Sequence, residues 1–183
     1  MKGRGIFFTV FICLLLLGGR NDPDIANFKF RVEEGGVVVS FNLENGFGKE
    51  TEQELFSGIK VRFEYSVELK KARTLLPDKR VKRSVVTMSA KYNNLTKQFT
   101  LIRQVNGDFT AISITDSLAE TKRFLCTVSE ERVFSTSSLT PGEKYYLQAK
   151  ADLKTKIKFF IIPWNISTFW RKSSSFFFRG NGK

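Results

Sequence analysis

Apolar residues recur at every second position along much of this chain, the spacing of strands with one face in a core, and helical spacing is confined to two short stretches. In the most regular run Ile59, Val61, Phe63, Tyr65, Val67 and Leu69 alternate with Lys60, Arg62, Glu64, Ser66, Glu68 and Lys70, so one face is expected to be buried and the other wet. Phe28, Phe30 and Val32 alternate with Lys29, Arg31 and Glu33, and Gly35-Gly36 then precedes Val37 to Asn45, the pattern of two strands joined by a two-residue glycine turn. Pro77-Asp78 turns the chain into a strand from Val81 to Tyr92, whose apolar parity switches between Val85 and Val86 and so predicts a bulge there. Asn93-Asn94 leads into Lys97 to Gln104, and Asn106-Gly107 returns into Phe109 to Ile114, completing a meander of four strands.

The two exceptions read as short helices. Lys49 to Phe56 is rich in Glu, Gln and Leu and meets a natural stop at Gly58, with Leu55 and Phe56 directed to the core. Ser117 and Glu120 have capping-box spacing ahead of a helix from Leu118 to Leu125, which would present those two leucines to the core. Thr127 to Thr140 has weak periodicity and is expected to be a loop with one short strand near Val133-Phe134. From Tyr145 to Ile161 the apolar residues keep one parity over a run too long for a single flat strand, so a bend or break is expected near Lys154 to Lys156. The sum is a mainly β protein, an antiparallel β-sandwich built as a meander of hairpins with two short helices, spanning residues 20–172. Residues 173–183 form a basic, aromatic tail, expected to be loosely ordered or interfacial.

Residues 1–19 have a different character. Lys2 and Arg4 precede an apolar or small run from Gly5 to Gly19, which matches a secretory signal. That run is short for a membrane span, which takes roughly 20 apolar residues. Export through a signal peptide or an uncleaved signal anchor is therefore expected. Cys13, set among Val10, Phe11, Ile12 and four leucines, lacks a lipoprotein context, and Cys126 reads as a small core residue.

Composition narrows the chemistry. The 183 residues include no histidine, which excludes the usual serine and cysteine triads and the commonest zinc ligand. No P-loop, dinucleotide fingerprint or metal-ligand cluster occurs, and no carboxylate pair can be argued, so no catalytic, cofactor or metal site is assigned. The formal charge of +12 is uneven: residues 58–104 carry twelve Lys and Arg against three acids, and residues 144–183 nine against one. Such zones suit an anionic lipid surface, a cell-wall polymer or an envelope protein, and the leader argues against nucleic acid.

Two groups are candidates for interaction. Lys79, Arg80, Lys82 and Arg83 form the densest basic cluster, placed at a turn between strands. Trp164 and Trp170 with Arg171 and Lys172 close an aromatic segment beginning at Phe159, a composition that suits a membrane interface as well as a core. An enzymatic alternative would use Asp152 and Tyr146.

Leu55-Phe56-Ser57-Gly58-Ile59-Lys60-Val61, Asp78-Lys79-Arg80-Val81, Tyr92-Asn93-Asn94-Leu95-Thr96-Lys97-Gln98-Phe99, Ser117-Leu118-Ala119-Glu120, Tyr145-Tyr146-Leu147, Asp152-Leu153 and Trp164-Asn165-Ile166-Ser167 with Trp170 follow one another along the chain. In that order, across Phe28 to Trp170, the sequence resembles the domain-of-unknown-function family DUF4390. The resemblance implies an exported or membrane-anchored bacterial protein, sometimes encoded near a sensor kinase, and carries over no activity or site residue. The expectation is a non-enzymatic binding module of the bacterial envelope, in the periplasm or anchored on the periplasmic side of the inner membrane. An accessory domain of a membrane sensor system and an envelope hydrolase are the alternatives.

Overall fold

The computed structural model describes residues 22–158 and 162–179, with the backbone alone for residues 154–158 and 162–165. The expected leader at 1–19 and the end of the tail at 180–183 lie outside the described residues. Two antiparallel sheets curl into a half-barrel around one core, as a sandwich with two helices requires. The smaller sheet has the order β1 (Asp24–Glu33), β2 (Gly36–Glu44), β7 (Thr127–Phe134). The larger runs β10 (Arg171–Lys172), β8 (Lys144–Lys158), β3 (Val61–Lys71), β4 (Lys79–Asn93), β5 (Gln98–Val105), β6 (Asp108–Thr115), with β9 (Ile162–Ser167) and β11 (Phe176–Phe177) also paired to β8.

The alternating positions build the core. Val61, Phe63, Tyr65, Val67 and Leu69 of β3 are all buried, facing Val37, Val39, Phe41 and Leu43 of β2. Phe41 meets the Tyr65 ring edge-on at 5.3 Å, and Phe28 meets Phe41 likewise at 5.8 Å. Ile59, expected in the strand, instead stands 55% exposed before it.

Helix α1 (Lys49–Phe56) follows β2 and ends at Gly58, whose φ of +78° is the left-handed conformation that favours glycine. Leu55 is fully buried, but Phe56 is 41% exposed and lies against Tyr92 and Phe99 at the rim of the core. Helix α2 (Leu118–Cys126) starts at Ser117, whose Oγ accepts the Glu120 N–H at 3.2 Å. The Glu120 carboxylate does not complete the box but accepts the Thr115 hydroxyl at 2.6 Å. Leu125 is fully buried, Leu118 half-buried, and the Leu125 carbonyl accepts the Tyr65 hydroxyl at 2.5 Å, so α2 is fastened to the middle of β3. The ion pair of Arg103 with Glu131, at 3.3 Å, ties β5 to β7 across the sheets.

Four expectations are corrected. The expected bulge between Val85 and Val86 is absent: β4 keeps register through both, with Val85 on the outer face and its N–H held by the Asn106 side chain at 2.9 Å. The irregularity lies at Val81 instead, where Leu69 pairs with Lys82 and Lys70 with Arg80. Thr127 to Phe134 is a full strand against β2 rather than mostly loop; two register shifts and a positive φ at Glu130 scramble its alternation. Of the bend or break expected near Lys154 to Lys156, the break is absent: β8 is continuous, with a register irregularity between Asp152 and Lys154 where it changes partner from β3 to β9. Finally, the tail is docked: Phe176 pairs with Tyr145 and its ring lies 4.9 Å from Phe30.

Candidate functional site

The outer face of the large sheet, turned away from the core, carries a strip of polar residues that the register makes neighbours. One row across four strands reads Lys172 (β10), Gln148 (β8), Glu68 (β3), Arg83 (β4), and the next reads Tyr146, Lys70, Arg80. Glu68 lies at the centre, its side chain only 5% exposed. It accepts Arg80 Nη1 at 3.0 Å and Gln148 Nε2 at 2.8 Å, and Lys70 Nζ is 3.5 Å away. Burial works to raise the Glu68 carboxyl, but the hydrogen bonds from Arg80 and Gln148 and the charges of Lys70 and Arg80 outweigh it, holding the carboxyl below its ordinary value. Glu68 therefore stays ionised at neutral pH.

Beside it, Tyr146 donates to Asp78 Oδ2 at 2.8 Å, and Lys172 Nζ lies 5.4 Å from the centre of the Tyr146 ring. That hydrogen bond, with a second from the Arg73 N–H, lowers the Asp78 carboxyl. Burial and the same bond push Tyr146 up to about 12, so the phenol is a donor and not a base. Arg83 Nη2 donates to Ser66 Oγ at 2.7 Å. Around Glu68 and Asp78 the face thus presents Lys70, Arg80, Arg83 and Lys172, four cations against two carboxylates; Lys82, paired with Leu69, and Lys79, paired with Lys71, belong to the opposite parity of the sheet.

The predicted interaction residues are partly brought together. Lys79, Arg80, Lys82 and Arg83 lie in β4 rather than at a turn, and only Arg80 and Arg83 share the face of Glu68, which Lys172 reaches through the two-residue pairing of β10 with β8. Arg171, adjacent in sequence, points the other way, 4.0 Å from Asp24 of β1. Trp170 is 39% exposed and is not among the residues of the strip, and the Trp164 side chain lies outside the described residues, as does the segment 159–161. Glu68 and Gln148 were not singled out in the sequence: their only local signal is polar parity on a strand, and the pairing that clusters them spans 80 residues.

Asp152 and Tyr146 share a face of β8, but at about 3.3 Å per residue they stand about 20 Å apart, and Asp152 is paired with Lys150 at 3.0 Å. They form no common site. Burial pushes the Cys126 thiol up to about 11, which makes it an inert packing group. Among the described residues no group of His, Cys, Asp and Glu is placed to hold a metal, and no helix is long and apolar enough to cross a membrane.

A family model described as a domain of unknown function (DUF4390) matches residues 21–177. No curated protein and no solved structure matches the chain.

Proposed function

The chain belongs to the DUF4390 family of domains of unknown function, and on that premise we propose that it is a non-enzymatic binding module of the bacterial envelope. Its binding surface is the cation-rich outer face of β10, β8, β3 and β4, and its ligand is an anionic envelope surface, phosphate- or carboxylate-bearing. The observation that carries this reading is the surplus of cations organised around Glu68: the buried carboxylate fixes Arg80 and Lys70 in place, while Arg83, hydrogen-bonded to the neutral Ser66, and Lys172, over the Tyr146 ring, are left for an external anion. The apolar leader supports export or anchoring on the periplasmic side.

The test is cosedimentation of the full chain with phosphatidylglycerol vesicles, neutral vesicles and an anionic cell-wall polymer. The leader favours any bilayer, so the difference between ligands is what counts. Arg83→Gln with Lys172→Gln should weaken retention on the anionic ligands about tenfold at low salt, with little effect on neutral vesicles. Equal retention of variant and parent on every ligand would sink the proposal. Fractionation of cells expressing the chain tests location, and a purely cytoplasmic product would remove the envelope from the reading.

A further inference from the structure

The large sheet ends at β6, and among the described residues no strand lies along its outer edge. An unpaired edge offers a row of backbone N–H and C=O groups that another strand can join, and folded proteins commonly block such edges with charges, prolines or bulges. The edges of the smaller sheet follow that practice. β1 carries Lys29, Arg31 and Glu33 and is irregular between Ala26 and Lys29. β7 carries Glu130, Glu131 and Arg132 and has two register shifts.

β6 lacks charge along its length. From Phe109 to Thr115 it has no charged residue and no proline, and after one shift near Thr110 it runs in unbroken register with β5 from Ala111 to Thr115. Phe109 is 66% exposed and Ile112 and Ile114 are each 64% exposed, on the face they share with half-buried Ile102 of β5. Three large apolar side chains thus stand in solvent beside an open ladder, two features that favour docking of a strand.

Charge narrows the occupant. From Gln104 to Thr121 the sequence holds Asp108, Asp116 and Glu120 and no Lys or Arg, in a chain whose formal charge is +12. A second copy laid antiparallel with Ile112 opposite Ile112 would set Asp108 against Asp116 at both ends, which like-charge repulsion opposes. We infer that the β6 edge accepts, by strand addition, an extended segment of a partner protein that is apolar at alternate positions and basic at its ends. Its apolar side chains cover Phe109, Ile112 and Ile114, its Lys or Arg meet Asp108 and Asp116, and the backbone ladder supplies the rest of the affinity. This edge lies two strands away from the cation-rich strip and acts independently of it.

The test titrates the full chain in mild detergent with two synthetic peptides of alternating Ile and Thr, one ended by lysines and the other by glutamates. The lysine-ended peptide should bind at least about tenfold tighter and slow hydrogen exchange at the β6 amides. Ile112→Lys, a charge on an exposed edge, should weaken that peptide about tenfold, while Leu75→Lys on the 94% exposed connection between β3 and β4 should leave it unchanged. Thr110→Lys serves as a second edge variant if Ile112→Lys does not retain the parent's far-ultraviolet spectrum. Absence of binding, equal binding of the two peptides, or edge variants that bind like the parent would overturn the inference. A dimer that Ile112→Lys reduces to single chains would also overturn it and assign the edge to a second copy.

Discussion

Glu68 is the residue where composition, fold and electrostatics meet. Its cations are drawn from β3 and β4 and its amide donor from β8, so it joins three strands at one carboxylate. Removing a partner from a buried, hydrogen-bonded charge costs more than the pair itself contributes, because cations are left without their counterion. Glu68→Gln should therefore destabilise the protein by about 1–3 kcal/mol at neutral pH, read from urea unfolding. The pH dependence has a definite sign. A carboxyl held below its unfolded value of about 4.3 contributes stability that is complete above that value and is lost as pH falls through the lower folded one. Asp78 acts in the same direction. Glu131 opposes both: burial, only partly offset by Arg103, raises its carboxyl, so its contribution is greatest in acid and fades as pH rises through the raised value. The acid limb should accordingly be shallower in Glu68→Gln than in the parent, and identical limbs would show that Glu68 is not held in this way. None of this was legible at Glu68 itself, which in sequence is one polar residue in an alternating run. Its burial comes from Gln148, 80 positions away, and Arg80, 12 away across a turn.

At the scale of elements, local signals located what local chemistry determines. Helix α1 has the bounds its composition predicts, and α2 begins at the serine that caps it. The meander from β3 to β6 follows from alternation and asparagine turns. The misses share a cause: β7, β9, β10 and β11 owe their existence to a neighbour and carry irregular or very short patterns. The tail shows this most clearly. Phe176 is held between Phe30 and Tyr145, and the Gly142 N–H donates to the Phe178 carbonyl at 2.8 Å, so a stretch that reads as loose closes one end of the sandwich. Deleting residues 173–183 should cost about 2–3 kcal/mol, roughly one buried aromatic, and should raise hydrogen exchange in β1 as well as at the start of β8. Unchanged stability would mean that the docked phenylalanines contribute nothing beyond their own ordering.

The described residues share one core, and helix α2 and the Arg103–Glu131 pair fasten the two sheets together. Such an arrangement should unfold as a unit: tryptophan fluorescence, which reports the strands near β10 through Trp170, and far-ultraviolet circular dichroism should give the same urea midpoint. Separated midpoints would mean that the β8–β9–β10 side opens on its own. What the sequence withheld at this scale is strand order, because alternation tells a strand which face to bury and not beside whom to lie. That β8 inserts next to β3, outside the hairpin order, follows from no local feature of either. The insertion also fixes a sequence of events in time. β3 is an inner strand, yet one of its two neighbours is synthesised about 80 residues after it. On a ribosome the meander β3 to β6 emerges and can pair while the other side of β3 is still a bare edge. Closure over such a distance is slow compared with forming hairpins. Until β8 arrives the nascent chain carries a second open edge, beside Glu68, and this interval is when a chaperone would be needed most.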